Sequence, residues 1–480
     1  MSRPVETIVV TGRTVDVWPV AALLARELPG AIALHVVEDM ASDGALAATV
    51  PIASDFHSRL GLDCADLITG CDAWPSLGSA MEGWMGEGSR FVTAPSGTLP
   101  MVGGVALHHL VRNMIAGQRQ DGDLANAFAP LRFAARAAEA GKMALPSDAP
   151  ESPLAMLGPQ VSVGRGAYAA MLRDRCRQRG TITAGKVQGA QRDDDGSVTA
   201  VKLADGSLLS GDFFVDCSGD LGGSEGQISE LVPFLPHRMA TAEMAKDQAQ
   251  TLPTYRALED AVLASTPTAS KQFLAFACSA QTSDEVIAKT VCENAAITDA
   301  ANHATNAPWQ DNVARLGPAS AQLGPMLSAD IALLQAQALL LADGLPSRTD
   351  MQAEAKAFNR KHAEALRGIT DFAFAPLYLC TRKGEFWEAM RAAPPPANLQ
   401  TRIDQFSSRG RVPSFERDHA DQQTWIELLI QFGITPQQID RRAQAIPPEQ
   451  ASRILSSIRA DLERALTGMT DQDAYFRRMR

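Results

Sequence analysis

The chain has 480 residues, more than one ordinary domain needs, so two or three domains or layers are expected. Its hydrophobic content of 45% and charged content of 21% are those of a soluble globular protein. The net charge of −11 and the lack of any run of five basic residues argue against a nucleic-acid partner.

The cysteine pattern and the termini predict a compartment. The seven cysteines are odd in number and form no C-x-x-C pair, which favours free thiols in a reducing compartment, so the cytoplasm is expected. The N-terminal MSRPVE leads directly into an apolar segment, and no signal peptide is expected. No apolar stretch reaches about 18 residues, so no membrane contact is predicted.

The first 38 residues predict a βαβ unit. Residues 7–10 (TIVV) favour a buried strand, 17–28 a helix with one apolar face, and 31–37 a second strand. Glu38 follows that strand, about 20 residues past the turn, as the ribose-binding acid does in dinucleotide-binding units. An acid on a solvated turn explains Glu38 equally well.

The turn inside this unit departs from the nucleotide-binding pattern. A diphosphate is normally held by G-x-G-x-x-G over the helix N-terminus, whereas residues 11–16 read TGRTVD and keep one glycine, Gly12. Asp16 places a negative charge at the helix start, where the diphosphate would lie. The scaffold is therefore predicted to be kept and its ligand chemistry altered.

The next segments contain few candidates for chemistry. Pro51 is interpreted as a helix start, and His57 as structural, because no partner lies at metal-ligand spacing. Residues 70–104 are interpreted as loops and short strands on the ligand side. His108 and His109 lie in a helical pattern at 105–115, where a surface or capping role is predicted.

The chain from residue 146 onward divides into three parts. After a proline-rich linker at 146–159 and a helix at 167–179, hairpin turns are predicted at 193–196 and 205–206. The strand at 213–215 ends in DCSG (216–219), which fits either a strand end facing a cofactor or an ordinary junction. Residues 230–310 show one strand, at 273–278, and a turn at 316–320 precedes a helix at 329–342. From 349 the chain is predicted mostly helical, with helices at 351–366, 386–392, 425–432 and 448–466.

Several stretches together resemble the flavin-dependent tryptophan halogenases. They are 10–38, 49–60 (TVPIASDFHSRL), 167–180, 205–219 (DGSLLSGDFFVDCSG), 316–331 (LGPASAQLGPMLSADI), 371–399 and 425–440. Each motif is weak, but their order and spacing extend over most of the chain outside 230–310.

The resemblance implies an α/β, FAD-dependent monooxygenase-like fold. Its parts would be a Rossmann-type βαβ nucleotide module, a second sheet on the substrate side and a helical C-terminal region. The implied division is a FAD-binding-type module at 1–229 with an insertion at 70–165, a substrate-side region at 230–312, a return to the module at 313–348, and the helical region at 349–480.

The resemblance also implies a chemistry whose reactive groups this chain lacks. In that family reduced FAD and oxygen oxidise halide to hypohalous acid, which a lysine and a glutamate direct to the substrate. The lysine position matches Ser76 and the glutamate position Leu327, and the first lysine anywhere in the chain is Lys142. The flavin-contacting acid matches Pro318, another acid matches Ala47, and no W-x-W-x-I-P segment occurs. No catalytic residue is therefore assigned.

Several candidate cofactor-binding residues are kept, and no metal site is predicted. The candidate cofactor-binding residues are Gly12, Glu38, Gly44, Ser218, Gly219 and Gly317. Two lost glycines, Asp16 and Pro318 should together weaken FAD affinity by several kcal/mol, at roughly 1–2 kcal/mol each. FAD binding is predicted to be weak or lost.

Two functional hypotheses follow. The first is a non-halogenating binding or partner subunit, which would pair with an active halogenase paralogue or with itself, or hold a small aromatic ligand. The alternative is an FAD-dependent halogenase or monooxygenase of altered mechanism, with Asp72, Glu82 or Asp330 replacing the lost groups. For Asp330 an acid in the first turn of a helix is the preferred interpretation.

Overall fold

The computed structural model describes most of the chain and divides it into two compact units. The described residues are 3–40, 45–95, 97, 101–117, 123–176, 179–222, 228–230, 238–300 and 303–480. Unit 1 comprises Met1–Ala73, Ser162–Asp247 and Ala261–Thr370, and unit 2 comprises Trp74–Val161, Gln248–Asp260 and Asp371–Arg480. The four-part division predicted from the sequence stays a prediction.

Unit 1 is built on a six-stranded sheet. In spatial order its strands are Trp309–Gln310, Val313–Arg315, Phe213–Asp216, Thr7–Arg13, Ala33–Asp39 and Thr181–Ala184. All neighbours are parallel except the first two. Ile8, Val9 and Val10 have no exposed surface, as expected of a parallel strand covered on both faces.

Helices cover this sheet. Those of unit 1 are Thr14–Glu27, Asp55–Leu60, Cys64–Gly70, Arg165–Cys176, Asp284–Thr290 and Ala329–Asp343, with the start of Gln352–Leu379. The helix Thr14–Glu27 packs against Arg165–Cys176 and Ala329–Asp343, and buries Trp18 completely. The predicted βαβ unit is therefore present, and its α/β architecture is that implied by the resemblance.

Further sheets of unit 1 are mainly antiparallel. One joins Val187–Arg192, Val198–Leu203 and Leu208–Ser210 through the two predicted hairpin turns. Another joins Ala296–Asp299, Arg238–Ala245, Lys271–Cys278 and Ala261–Pro267, and a third joins Ile228–Glu230, His303–Thr305 and Ala321–Gln322. The strand Ala47–Pro51 also belongs to unit 1.

The structure differs from the prediction in two places. Pro51 ends a strand instead of starting a helix; the helix begins at Asp55, where the Ser54 hydroxyl accepts the His57 N–H at 3.2 Å. Residues 230–310 contain several strands where one was expected. Alanine, which is frequent there, has little intrinsic strand preference, and pairing with other strands decides the conformation of these residues.

Unit 2 is mainly helical. Its helices are Leu107–Gly117, Leu124–Phe128, Phe133–Glu139, Glu385–Ala392, Ala397–Arg409, Gln422–Gln431, Arg441–Gln444, Pro448–Gly468 and Gln472–Met479. Short strands accompany them: Trp74–Ser76, Ser79–Glu82, Arg90–Thr93, Lys142–Met143, Thr254–Ala257 and Thr470–Asp471. The strand Gln160–Gly164 begins in unit 2 and ends in unit 1. The predicted C-terminal helices are present, and the helix Ala397–Arg409 was not predicted.

The two adjacent histidines of unit 2 are buried, not on the surface as expected. His108 is 2% exposed and its Nε2 lies 2.8 Å from the carbonyl oxygen of Gly410, the residue that ends the helix Ala397–Arg409. Burial lowers the pKa of His108 to about 3, so its ring is neutral at pH 7. The expected capping role therefore holds, and the expected exposure is wrong.

One helical stretch was not anticipated as a membrane candidate. Met326–Asp343 is long and apolar enough to cross a membrane by length and composition, and 56% of it is buried inside the fold. That burial is typical of a core helix. The cytoplasmic location stays a prediction.

Candidate functional site

The candidate site lies at the carboxyl edge of the six-stranded sheet. Strand pairing sets Gly12 beside Glu38, and Thr11 beside Asp216, which precedes Ser218 and Gly219. Asp216 pairs in turn with Arg315, two residues before Gly317. Ligands of doubly wound sheets bind at this edge. The fold thus brings together the predicted cofactor residues, except Gly44, which lies outside the described residues.

Gly12 is required by packing. A Cβ atom at this position would lie 2.7 Å from the Cβ atom of Cys217, closer than two such carbons approach. The glycine therefore lets the first strand end against the 216–219 turn, whether or not a ligand is present.

Asp16 forms the centre of a buried ion cluster. The strand Thr7–Arg13 leads directly into the helix Thr14–Glu27, and Asp16 in its first turn has no exposed surface. One carboxylate oxygen accepts from Arg13 Nε at 2.8 Å and the other from Arg165 Nη2 at 2.7 Å. Both oxygens are thus neutralised by guanidinium groups.

Arg165 is held in place by a second contact. Pro19 has no N–H, so the carbonyl of Val15, four residues earlier, receives no helical hydrogen bond from it. Arg165 Nη2 lies 3.4 Å from that carbonyl oxygen. The proline thereby leaves an acceptor for the arginine that pairs with Asp16.

Asp330 completes this group, here called the acid–arginine cluster: Arg13, Asp16, Arg165 and Asp330. Asp330 lies in the first turn of the helix Ala329–Asp343, and its Oδ1 accepts the Leu323 N–H at 2.8 Å. Burial raises the pKa of Asp330 to about 6, against the opposing effects of the Leu323 N–H and Arg165. The cluster thus holds two arginines and two acids.

Glu38 is engaged by protein groups. It is 1% exposed, accepts from Thr14 Oγ1 at 3.2 Å, and lies 3.3 Å from Arg173 Nη2. The guanidinium of Arg173 also lies 5.7 Å from the centre of the Trp18 ring. Glu38 is therefore a buried, paired acid, which neither of the two predicted interpretations had described.

The backbone donors at this edge are also used internally. Asp216 Oδ1 accepts the N–H groups of Ser218 at 3.0 Å and Gly219 at 2.8 Å. The Gly317 N–H donates to Gln337 Oε1 at 2.7 Å. Burial raises the pKa of Asp216, and the N–H groups it accepts act in the opposite direction.

Ser76 is a buried hydroxyl. It is 1% exposed, and its Oγ has no hydrogen-bond partner within the described part of the chain. Lys142 pairs its Nζ with the 72% exposed Asp471 at 2.7 Å. A hydroxyl cannot supply the amine or ammonium chemistry of a lysine near pH 7.

Leu327 lies in a strained turn. Leu327 and Ser328 have φ values of 48° and 57°, which are uncommon for residues other than glycine. The Ser328 hydroxyl accepts the Thr49 N–H at 2.8 Å and ties the turn to a neighbouring strand. An apolar side chain thus stands in this turn, at the position that the resemblance matches to glutamate.

The three replacement acids considered from the sequence are all paired in the structure. Asp72 accepts from Ser270 Oγ at 2.6 Å and Thr268 Oγ1 at 3.0 Å. Glu82 pairs with Arg256 at 2.8 Å. Asp330 belongs to the acid–arginine cluster.

Sequence reasoning missed Arg165 and Arg173. Both lie on the helix Arg165–Cys176, more than a hundred residues from their partners Asp16 and Glu38, and no local pattern marks them. The Arg13–Asp16 spacing of three residues was the only available signal.

His57 has the structural role that the sequence predicted. It has no exposed surface, its Nδ1 lies 2.9 Å from the Pro51 carbonyl oxygen, and its Nε2 lies 2.8 Å from the Tyr168 hydroxyl. Gln335 Nε2 donates to the same hydroxyl at 3.1 Å. Burial lowers the pKa of His57.

We expect His57→Phe to lower the free energy of unfolding by about 1–3 kcal/mol, because it leaves buried polar groups unpaired. Urea unfolding at pH 7 measures the effect as a lower midpoint with an unchanged slope. Tyr168→Phe removes the hydroxyl that contacts both His57 and Gln335, and should also cost about 1–3 kcal/mol. An unchanged midpoint in His57→Phe would contradict the role assigned to this network.

The sequence matches a known protein family. The family model of tryptophan halogenases matches residues 7–448. The chain belongs to the tryptophan halogenase family. No curated protein sequence matches it.

Solved structures of halogenases have a similar fold. A flavin-dependent halogenase from Brevundimonas sp. BAL3 is 22% identical, with 99% of each chain covered and a TM-score of 0.89. One from Xanthomonas campestris is 22% identical, with 99% of each chain covered and a TM-score of 0.88. A tryptophan 6-halogenase from Streptomyces toxytricini is 17% identical, covering 98% of this chain and 99% of its own, with a TM-score of 0.80. At these identities the likeness shows the fold, and FAD is the cofactor that the family implies.

Proposed function

We propose that this member of the tryptophan halogenase family does not halogenate and does not hold FAD in the family's manner. It acts instead as a binding or partner subunit. The observation that carries this proposal is the acid–arginine cluster at the start of the helix Thr14–Glu27. A helix N-terminus attracts a diphosphate through its N–H groups and dipole, whereas here Asp16 occupies the first turn and engages the guanidinium groups of Arg13 and Arg165 that could otherwise bind phosphate.

The rest of the sheet edge supports the same proposal, because several of its candidate cofactor groups are already engaged by protein partners. Glu38, the candidate ribose acid, faces Arg173 and Thr14. The N–H groups of Ser218, Gly219 and Gly317 already donate to Asp216 and Gln337. A dinucleotide that used these same groups would have to replace the contacts they already make within the protein.

The two positions that the resemblance assigns to the reaction also lack its reactive groups. A buried hydroxyl at Ser76 and an apolar side chain at Leu327 replace the lysine and the glutamate implied by the resemblance. Without an amine, no group at Ser76 can trap an oxidised halide.

The partner proposal has two forms. One is a complex with an active halogenase paralogue or a second copy of the chain, and the other is a stand-alone binder of a small aromatic ligand. Co-purification with a co-expressed paralogue distinguishes them, with sedimentation of the purified protein reporting self-association.

The alternative is a flavin enzyme of altered mechanism that uses Asp330. Its raised pKa, about 6, is that of a carboxyl suited to proton transfer near neutral pH. Turnover coupled to a flavin reductase that disappears in Asp330→Ala would favour this alternative and contradict the first proposal.

We expect the purified protein to be colourless and to gain no flavin on incubation with FAD. Absorbance near 450 nm, read after gel filtration with and without about a tenfold excess of FAD, measures this. A flavin-binding halogenase of the same fold, treated in parallel, serves as the positive control. Stoichiometric flavin in this protein, lowered in Glu38→Gln, would overturn the proposal.

A further inference from the structure

Unit 2 contains a cavity that shares no lining residue with the candidate site at the sheet edge of unit 1. It has a volume of about 380 Å³ and lies among the strand Arg90–Thr93 and the helices Phe133–Glu139, Gln422–Gln431 and Pro448–Gly468. That volume is within the range of small-molecule sites. None of its lining residues belongs to unit 1, so it does not depend on the FAD question.

The cavity is rich in guanidinium groups although the protein is acidic overall. Arg90, Arg132, Arg136 and Arg459 line it, together with one carboxylate, Glu139. Arg132 is fixed at the buried end, where its side chain is 6% exposed and its Nε lies 3.2 Å from Glu427 Oε2. A planar guanidinium presents paired N–H donors that match carboxylate and phosphate oxygens.

Arg90 is only loosely paired. Its Nε lies 3.6 Å from Glu82 and its Nη1 lies 3.7 Å from Glu139, both beyond hydrogen-bond distance. Glu82 has a closer partner in Arg256, at 2.8 Å. Arg90 can therefore turn toward a bound oxyanion at little cost.

Gln431 also lines the cavity. The Nε2 atom of Gln431 is buried and lacks a hydrogen-bond partner within the described residues. An unpaired buried donor is destabilising, so a ligand acceptor at this place would be favoured. The remaining lining residues are the polar Asn126 and an apolar wall formed by Phe91, Ala125, Ala129, Pro130 and Ala135.

We propose that this cavity binds a small organic anion, an oxyanion head on a short apolar body. Arg90 and Arg459 hold the oxyanion, Gln431 donates a neutral hydrogen bond, and the apolar wall contacts the hydrocarbon part. Glu139 competes with the ligand for Arg90. The same chemistry is offered by carboxylates and by phosphate monoesters.

The test uses benzoate and phenyl phosphate as anionic probes and benzyl alcohol as the neutral counterpart, titrated by ligand-observed NMR up to about 10 mM. We expect at least one anion to bind, and benzyl alcohol to bind at least about fivefold more weakly. Comparison of the two anions distinguishes a carboxylate site from a phosphate site.

Variants separate this site from general surface charge. Arg90→Gln and Arg459→Gln should each weaken the anion by about fivefold or more, and Glu139→Gln should strengthen it. Arg453→Gln makes the same charge change on the exposed face of the helix that carries Arg459, outside the cavity lining, and should leave binding unchanged. Absence of anion binding, equal binding of benzyl alcohol, or equal loss in Arg453→Gln would overturn the proposal.

Discussion

Asp16→Ala should lower the free energy of unfolding by about 3–5 kcal/mol, because it leaves Arg165 without its charge partner in a buried position. The Arg165 side chain is 8% exposed and depends on Asp16 for its 2.7 Å ion pair. The loss should appear in urea unfolding as a lower midpoint. Asp16→Asn, which keeps one acceptor, should lose less.

The matched control is another acid–arginine pair spaced three residues apart. Asp461 and Arg464 lie on an exposed helix face, with 53% and 79% of their side chains accessible. Asp461→Ala should cost less than about 1 kcal/mol. Equal losses in Asp16→Ala and Asp461→Ala would show that the cluster contributes nothing beyond a surface ion pair.

Asp330→Asn should stabilise the protein at pH 8 by about 1–2 kcal/mol and have little effect at pH 4. The pKa of Asp330 is raised from its ordinary value of 3.8 to about 6, so the folded state retains a proton that the unfolded state releases. Stability is therefore lost as the pH rises from about 4 to 6. Asparagine keeps an acceptor for the Leu323 N–H and removes the charge. Asp330 is partly exposed, so water reduces the cost of its charge and the expected gain is modest.

Urea unfolding of both proteins at intervals between pH 4 and 8 measures the difference, which should grow with pH and level off above about 6.5. Asp473→Asn is the control, since Asp473 is an exposed acid in the first turn of another helix. Its difference from the unaltered protein should not follow that curve. A pH-independent effect of Asp330→Asn would contradict the charge-based explanation.

Asp16→Ala and Asp330→Asn both alter the acid–arginine cluster, on which the proposed function rests. If the acid–arginine cluster stabilises the fold, the start of the first helix serves structure in this protein. A relative with a working nucleotide site would keep the same position open for a diphosphate. The stability measurements and the flavin measurement are independent, so each can fail alone.

The sequence by itself determined the βαβ unit, the DCSG strand end and most C-terminal helices. Apolar periodicity and turn residues are local signals, and they placed Gly12, Glu38, Ser218 and Gly219 in the same module. The absence of lysine before Lys142 was also decided by sequence alone.

Only the tertiary structure decided what these residues contact. Asp16 is 149 residues from Arg165 and Glu38 lies opposite Arg173, so no window of sequence contains either pair. The strands between 230 and 310 and the arginine-lined cavity likewise depend on pairings distant in the chain. Charge compensation in a buried site is set by three-dimensional proximity, and a linear pattern shows only the charges, not their partners.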